Sequence, residues 1–150
     1  MKTKNMQLLQ LDNRIREFKG LQSAPQTGWI RSVRVSIGMS LEQLGRKLGI
    51  TRQSAMDMER REQEGTISMK ALREAATAMD MELVYGFVPK DGSLQALINR
   101  KAYEIAGEIV DRASQTMILE EQGNSMERLE KAVEERAREI KETTPKILWD

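Results

Sequence analysis

Hydrophobic residues recur every three or four positions along most of the chain, which is the spacing of one face of an α-helix. The longest run of this pattern covers residues 93–121 and predicts one long helix with a continuous apolar stripe. A densely charged helix with a thinner stripe is predicted over 125–142, and a weakly amphipathic helix over 4–20. Residues 23–28, with a proline and a glycine, are typical of a linker.

Four short helices are predicted between the linker and residue 80, because caps and glycines interrupt the helical pattern there. They cover residues 29–37, 41–48, 52–62 and 69–79. Ser40 is a favourable N-cap, and Gln43 completes a capping box with it. Gly49 ends the second helix, and Thr51 and Ser68 are suited to cap the next two.

Residues 82–88 carry the only convincing β-strand pattern in the chain, Glu-Leu-Val-Tyr-Gly-Phe-Val. A single strand cannot satisfy its own backbone hydrogen-bonding groups. We therefore expect it to pair with a second copy of the chain, with an N-terminal segment, or with another protein, and we favour a homodimer. The predicted fold is mainly α, with a helical bundle followed by one β-strand and two C-terminal helices.

The composition excludes several classes of function. The chain contains no cysteine and no histidine, which rules out disulfides, thiol nucleophiles, histidine bases and the usual zinc sites. It also has no glycine loop for phosphate and no cluster of metal ligands, so we expect neither an enzyme nor a cofactor. No apolar run approaches the roughly 18 residues of a membrane span, and no signal peptide opens the chain, which predicts a cytoplasmic protein without a membrane partner.

Charge is distributed unevenly, although the net charge is only +1. Residues 29–62 contain seven Lys or Arg and four acidic residues, whereas residues 93–150 contain nine and twelve. A basic front half and an acidic back half indicate two different partners. A solvated surface with a chance bias is the alternative explanation.

The segment 40–59 matches the requirements of a helix-turn-helix. Gly45 provides the small residue at which two helices can cross, and Gly49 can take a positive φ in the turn. Apolar anchors are present on both helices at Leu41, Leu44, Leu48, Ile50, Ala55 and Met58. A helical hairpin whose second helix merely happens to begin with polar residues is the alternative.

Short polar and basic residues at the start of the second helix are suited to base edges in a DNA major groove. The candidate residues there are Thr51, Arg52, Gln53 and Ser54. Gln43 on the first helix is a further candidate, and the candidate phosphate contacts are Arg46, Lys47, Arg60 and Arg61. Ordinary solvated basic side chains are the alternative explanation for the last four.

Residues 29–80 resemble the phage-repressor, or Xre-type, family, which implies a lambda-repressor-like bundle. In that family a buried arginine on the first helix pairs with a glutamate at the end of the recognition helix. The matching positions are Arg34 and Glu59, which we expect to form a structural ion pair. Leu41 stands where the family often has a DNA-contacting glutamine, and Gln43 is the nearest polar residue.

Nearly the whole chain also resembles a narrower bacterial family, the mobile mystery protein A family. The matching segments are Gly28-Trp29-Ile30-Arg31, Glu64-Gly65-Thr66-Ile67, Glu82-Leu83-Val84-Tyr85, Thr116-Met117-Ile118-Leu119-Glu120 and Leu148-Trp149-Asp150. Such proteins are encoded beside a Fic-domain toxin, an AMP-transferring enzyme. The resemblance implies an antitoxin that neutralises this toxin and represses its own operon.

Fic antitoxins share an inhibitory helix written Ser/Thr-x-x-x-Glu-Gly/Asn, whose glutamate pairs with an arginine of the toxin. Thr116 and Glu120 are the only matching pair here, and Glu121 departs from the final position of the motif. A spacing of four places both on one helix face. The alternative is that Thr116 belongs to the apolar stripe and Glu120 is simply exposed.

The sequence therefore predicts four parts. These are residues 1–28, an N-terminal helix and linker; 29–81, a DNA-binding helix-turn-helix; 82–92, a strand and turn for dimerisation; and 93–150, a helical region for a partner. The predicted function is a homodimeric regulator that binds a palindromic double-stranded operator and neutralises a Fic-domain toxin. A dimeric repressor without a toxin, whose C-terminal helices serve oligomerisation or effector sensing, is the alternative.

Overall fold

The computed structural model describes residues 2–20, 23–118 and 126–150, and only the backbone of residues 116–118. These residues form seven α-helices: α1 (Lys2–Arg16), α2 (Trp29–Ser36), α3 (Leu41–Leu48), α4 (Arg52–Glu64), α5 (Met69–Ala78), α6 (Leu94–Ile118) and α7 (Met126–Thr143). A short 3-10 helix covers Pro145–Trp149. The described chain divides into two compact units, one of Gly20–Tyr85 and one of Met1–Lys19 with Gly86–Asp150.

The unit Gly20–Tyr85, which we call the bundle, contains α2 to α5. Its core consists of Ile30, Leu44, Ala55, Ala75 and Met79, all of which are buried. Two of these five are alanines, and their small side chains allow the helices to pack closely. The predicted anchors Leu41, Leu48, Ile50 and Met58 pack against this core.

The caps predicted for the bundle helices are confirmed. Ser40 and Gln43 form a complete capping box at the start of α3, and Gly49 ends that helix in the left-handed conformation. The side chains of Thr51 and Ser68 accept hydrogen bonds from backbone N–H groups in the first turns of α4 and α5. Each of these signals acts within three or four residues.

The second unit joins the two ends of the chain. Its core contains Ala102, Ala106, Ala137, Ile140 and Leu148, so α6, α7 and the 3-10 helix pack through small and aliphatic side chains. Helix α1 belongs to this unit. The predicted division, which set residues 1–28 apart as a segment of their own, did not anticipate this grouping.

Asp12 connects α1 to the start of α6. Its buried carboxylate accepts hydrogen bonds from the backbone N–H groups of Leu94, at 2.7 Å, and Gln95, at 3.3 Å. The hydroxyl of Ser93 accepts a third, from Ala96. Together they satisfy three of the four backbone donors that begin a helix without intrahelical partners.

The predicted β-strand over residues 82–88 is wrong, and no residue that the structure describes forms a strand. The segment has no regular secondary structure, and its apolar side chains other than Leu83 are exposed, 68% for Val84 and 91% for Phe87. β-Branched and aromatic residues favour a strand only where a partner strand accepts their backbone hydrogen bonds. Since no other strand is present in the described chain, residues 82–88 have no partner strand there and do not form a strand.

None of the helices within the described residues combines the length and the apolar character needed to cross a membrane.

Candidate nucleic-acid interface

Gly45 of α3 is buried against the turn that leads into α4. A Cβ atom added to Gly45 would lie 2.8 Å from the carbonyl oxygen of Ile50 and 3.2 Å from the carbonyl carbon of Thr51. The Ile50 N–H donates a hydrogen bond of 2.8 Å to the Gly45 carbonyl. Because the opposing atoms belong to the backbone, they cannot rotate away, and only glycine fits.

The turn between α3 and α4 leaves the first residues of α4 exposed to solvent. Gly49 has φ 69° and ψ 28°, a conformation that glycine adopts without steric penalty. Thr51 then caps α4, since its Oγ1 accepts a hydrogen bond of 3.0 Å from the Ser54 N–H. The Thr51 hydroxyl also lies 3.0 Å from the Ser54 Oγ, to which it donates. Two of the four predicted base-reading residues therefore use their hydroxyls to hold the helix.

Arg52 and Gln53 occupy the first two positions of α4, and both are exposed. Within the described part of the chain, neither side chain makes a hydrogen bond or an ion pair. Both therefore have all of their polar atoms available to a ligand.

The remaining predicted contacts lie on both helices. Gln43, Arg46 and Lys47 are exposed on α3, and the Gln43 carbonyl oxygen accepts the Ser40 N–H at 2.8 Å. The amide nitrogen of Gln43 and the second lone pair of its oxygen are thus left for another partner. Arg60 pairs with two acidic residues of its own helix, whereas Arg61 is exposed without a partner among the described residues.

Arg34 and Glu59, the pair expected from the phage-repressor resemblance, are buried together beneath α4. The guanidinium donates from Nε to Glu59 Oε1 at 2.8 Å and from Nη2 to Oε2 at 3.3 Å. Its Nη1 donates to the carbonyl of Met39 at 2.9 Å. Their side chains are 11% and 6% exposed, so this pair lies away from any ligand and instead ties α2 to α4.

Glu62 is a positioning residue that the sequence analysis missed. Its carboxylate accepts the backbone N–H groups of Trp29, at 2.8 Å, and Ile30, at 2.9 Å, and so caps the start of α2. Gly28, which precedes that helix, has φ 82°, and a Cβ there would lie 2.9 Å from the same carboxylate. Glycine directly before a helix that lacks a side-chain cap was the available signal.

Asp57 is another residue of α4 that was not among the predicted site residues. It lies four residues after Gln53 on α4, is half-buried, and pairs with Arg60 across 3.3 Å. A spacing of four residues places Gln53 and Asp57 on the same helix face.

The two residues predicted to inhibit a toxin cannot be placed. Glu120 lies outside the described residues, and the side chain of Thr116 does as well, although its backbone belongs to α6. This prediction stays a prediction.

Comparisons with family models, with curated proteins and with solved structures give no match to this chain. A functional assignment therefore depends on the arrangement of α3 and α4 and on the side chains that they expose.

Proposed function

We propose that this protein is a sequence-specific DNA-binding regulator that places the start of α4 in the major groove of a double-stranded operator. One observation carries the proposal. The turn that packs against Gly45 is followed by a capped helix whose first two side chains, Arg52 and Gln53, are exposed and unpaired among the described residues. Recognition helices of helix-turn-helix proteins contact base edges with their N-terminal residues.

The chemistry of these two side chains fits base edges. Arginine can donate two parallel hydrogen bonds to O6 and N7 of guanine, and glutamine can pair in two places with adenine. Arg46 and Lys47 are exposed in the last turn of α3, Arg61 is exposed in the last turn of α4, and all three would serve as phosphate contacts. Arg60 pairs with Asp57 and Glu64 through Nη2 and Nε, which leaves its Nη1 for a phosphate.

The regulator would act as a homodimer in the cytoplasm, on a palindromic operator. Two half-sites separated by about one helical turn would each receive one α4 helix. With a net charge of +1, the chain would have only modest affinity for non-specific DNA.

The proposal is tested by selecting binding sites from random double-stranded DNA and by footprinting the region upstream of the gene. Arg52→Ala is expected to weaken binding by roughly 1–3 kcal/mol and to relax the preference at one base pair. Lys47→Ala is expected to weaken binding to all sequences alike and to reduce the salt slope by about 1.

Arg136→Ala is the matched control, because Arg136 is an exposed arginine in the other unit and its one ion pair among the described residues is with Glu139. It is expected to leave both affinity and preference unchanged. A wild-type protein that selects no motif would overturn the proposal.

The second part of the predicted function, neutralising a Fic-domain toxin, has its support in the family resemblance and in the acidic balance of residues 93–150. Co-expression with the neighbouring gene product tests it, with Glu120→Ala as the diagnostic variant. Neutralisation lost while the complex persists would support an inhibitory Thr116–Glu120 pair. A toxin that neither co-purifies nor loses toxicity would favour the repressor without a toxin partner.

A further inference from the structure

One face of α4 is polar along its whole length. Ala55 and Glu59 are buried, and the opposite face carries Gln53, Asp57, Arg60 and Glu64, which follow one another at helical spacing. If Gln53 faces a base edge, Asp57 faces the same groove one helical turn further along. An acidic side chain in that position needs an explanation, because the DNA backbone repels it.

The distance along the helix fits a second base-reading position. With a rise of about 1.5 Å per residue, Asp57 lies about 6 Å beyond Gln53 along the axis of α4. Successive base pairs are about 3.4 Å apart, so for an α4 axis that runs along the groove the two side chains are separated by about two base-pair steps.

The hydrogen-bonding capacity of a carboxylate selects the base. An ionised aspartate can only accept hydrogen bonds. In the major groove cytosine offers the N4 amino donor alone, whereas adenine places its N6 donor beside the N7 acceptor, which would repel a carboxylate. Guanine and thymine offer acceptors there, and no amino donor. Cytosine is therefore the base from which an aspartate at this position can accept a hydrogen bond without meeting a neighbouring acceptor.

Arg60 makes the acidic side chain tolerable. Its Nη2 lies 3.3 Å from Asp57 Oδ1, and the Asp57 side chain is 35% exposed, so an oxygen remains open to a donor. The cation offsets the repulsion between the carboxylate and the phosphates.

From this arrangement we infer that Asp57 is a specificity-determining residue that reads a cytosine about two base pairs from the position read by Gln53. The inference depends on the proposed function and deepens it. It names one base of the operator half-site and the side chain that selects it.

The test is binding-site selection from random double-stranded DNA with three proteins: wild type, Asp57→Asn and Glu64→Gln. Asparagine removes one negative charge and supplies both a donor and an acceptor, which suits adenine. Glu64→Gln is the matched control, because it removes the same charge from the same face and lies 3.9 Å from the same Arg60.

The wild type is expected to select cytosine at one position of each half-site, with a preference of about 5- to 100-fold. Asp57→Asn should abolish that preference, or move it to adenine, at this position alone. Glu64→Gln should leave the motif unchanged and tighten binding to all sequences alike.

Two results would overturn the inference, and they are distinguishable. If the wild type selects a motif and Asp57→Asn only tightens binding without altering any position, Asp57 is a repulsive charge and the proposed function stands. If the wild type selects no motif, both the inference and the proposed function fail.

Discussion

Gly45 and Ile50 approach each other so closely that a Cβ on the first would lie 2.8 Å from the carbonyl oxygen of the second. This distance sets how α3 meets α4, since the backbone N–H of Ile50 also donates to the Gly45 carbonyl. A larger side chain at residue 45 must move one helix relative to the other. The orientation of Arg52 and Gln53 would move with α4.

Gly45→Ala is expected to destabilise the bundle by about 1–3 kcal/mol, because the added methyl group overlaps backbone atoms. The effect is measured by urea denaturation, with tryptophan fluorescence as the signal. The chain has two tryptophans, of which Trp29 lies in the bundle and Trp149 in the other unit. A Trp149→Phe background therefore reports on the bundle alone.

Gly107→Ala is the matched control for this prediction, and its effect is followed by Trp149 in a Trp29→Phe background, because Gly107 and Trp149 both lie in the second unit. Gly107 also lies within a helix, but a Cβ there meets no atom within 4 Å. Its replacement should stabilise α6 by about 0.5–1 kcal/mol through the lower backbone entropy of the unfolded chain. If Gly45→Ala raises the free energy of unfolding, as Gly107→Ala is expected to do, or leaves it unchanged, the close packing of Gly45 against the turn is contradicted.

The buried pair Arg34–Glu59 leads to a second prediction. Glu59→Ala should lower the free energy of unfolding of the bundle by about 3–5 kcal/mol, because it leaves the guanidinium buried without a counter-charge. The double variant Arg34→Met with Glu59→Leu should recover most of this loss. Arg136→Ala breaks the exposed pair with Glu139 and should change stability by less than about 1 kcal/mol.

The bundle could be predicted from the sequence because its signals are local. Ser40, Gln43, Gly49 and Thr51 each act on backbone groups within four residues, and their effect does not depend on the rest of the fold. Gly45 was predictable for a related reason, since a glycine in the middle of a short helix is unfavourable unless close packing requires it.

The strand over residues 82–88 was predicted wrongly because its signal is not sufficient by itself. The run of β-branched, aromatic and aliphatic residues Leu83, Val84, Tyr85 and Phe87 favours a strand, but a strand also needs a neighbouring strand in register. Within the described residues the segment stays without regular structure.

The residues that provide long-range caps could not be identified from the sequence, even where a glycine such as Gly28 indicates that a helix lacks a local cap. Asp12 accepts a hydrogen bond from the backbone N–H of Leu94, 82 residues away in the sequence. Glu62 accepts one from the backbone N–H of Trp29, 33 residues away. No local pattern distinguishes such an aspartate or glutamate from a solvated one. Asp57 is different, because its spacing of four residues from Gln53 can be seen in the sequence, but its acidic side chain does not suggest a contact with DNA.

Asp12 provides a third prediction. Asp12→Ala should destabilise the second unit by about 0.5–2 kcal/mol, because two backbone N–H groups of α6 lose their acceptor. Asp12→Asn should be far less damaging, since the amide oxygen still accepts a hydrogen bond and asparagine is as good a cap as aspartate. Denaturation followed by Trp149 in a Trp29→Phe background measures both, and equal losses in the two variants would contradict a capping role.

Asp91 leads to a prediction about pH. The hydrogen bond from Arg100 lowers the pKa of the Asp91 carboxyl below its usual 3.8, with Nε to Oδ1 at 2.7 Å. A pKa that is lower in the folded than in the unfolded chain stabilises the fold above the usual pKa. This contribution is lost as the pH falls from 3.8 through the lowered value. The difference in unfolding free energy between wild type and Asp91→Asn should therefore be constant at neutral pH and shrink in acid.

Arg100 is the natural control for this pH dependence, because it is the first cause of the shift in the pKa of Asp91. Arg100→Gln removes the guanidinium that also pairs with Glu104, so its own effect on stability contains more than one interaction. The effect of Asp91→Asn is therefore measured twice, once in the wild type and once in the Arg100→Gln variant. Within each comparison the state of the Glu104 contact does not change, so the contribution of the Asp91–Arg100 contact is isolated. If the pair is responsible, the acid-sensitive difference disappears in the Arg100→Gln background. If the difference persists there unchanged, another group, and not the contact with Arg100, holds the carboxylate in its charged form.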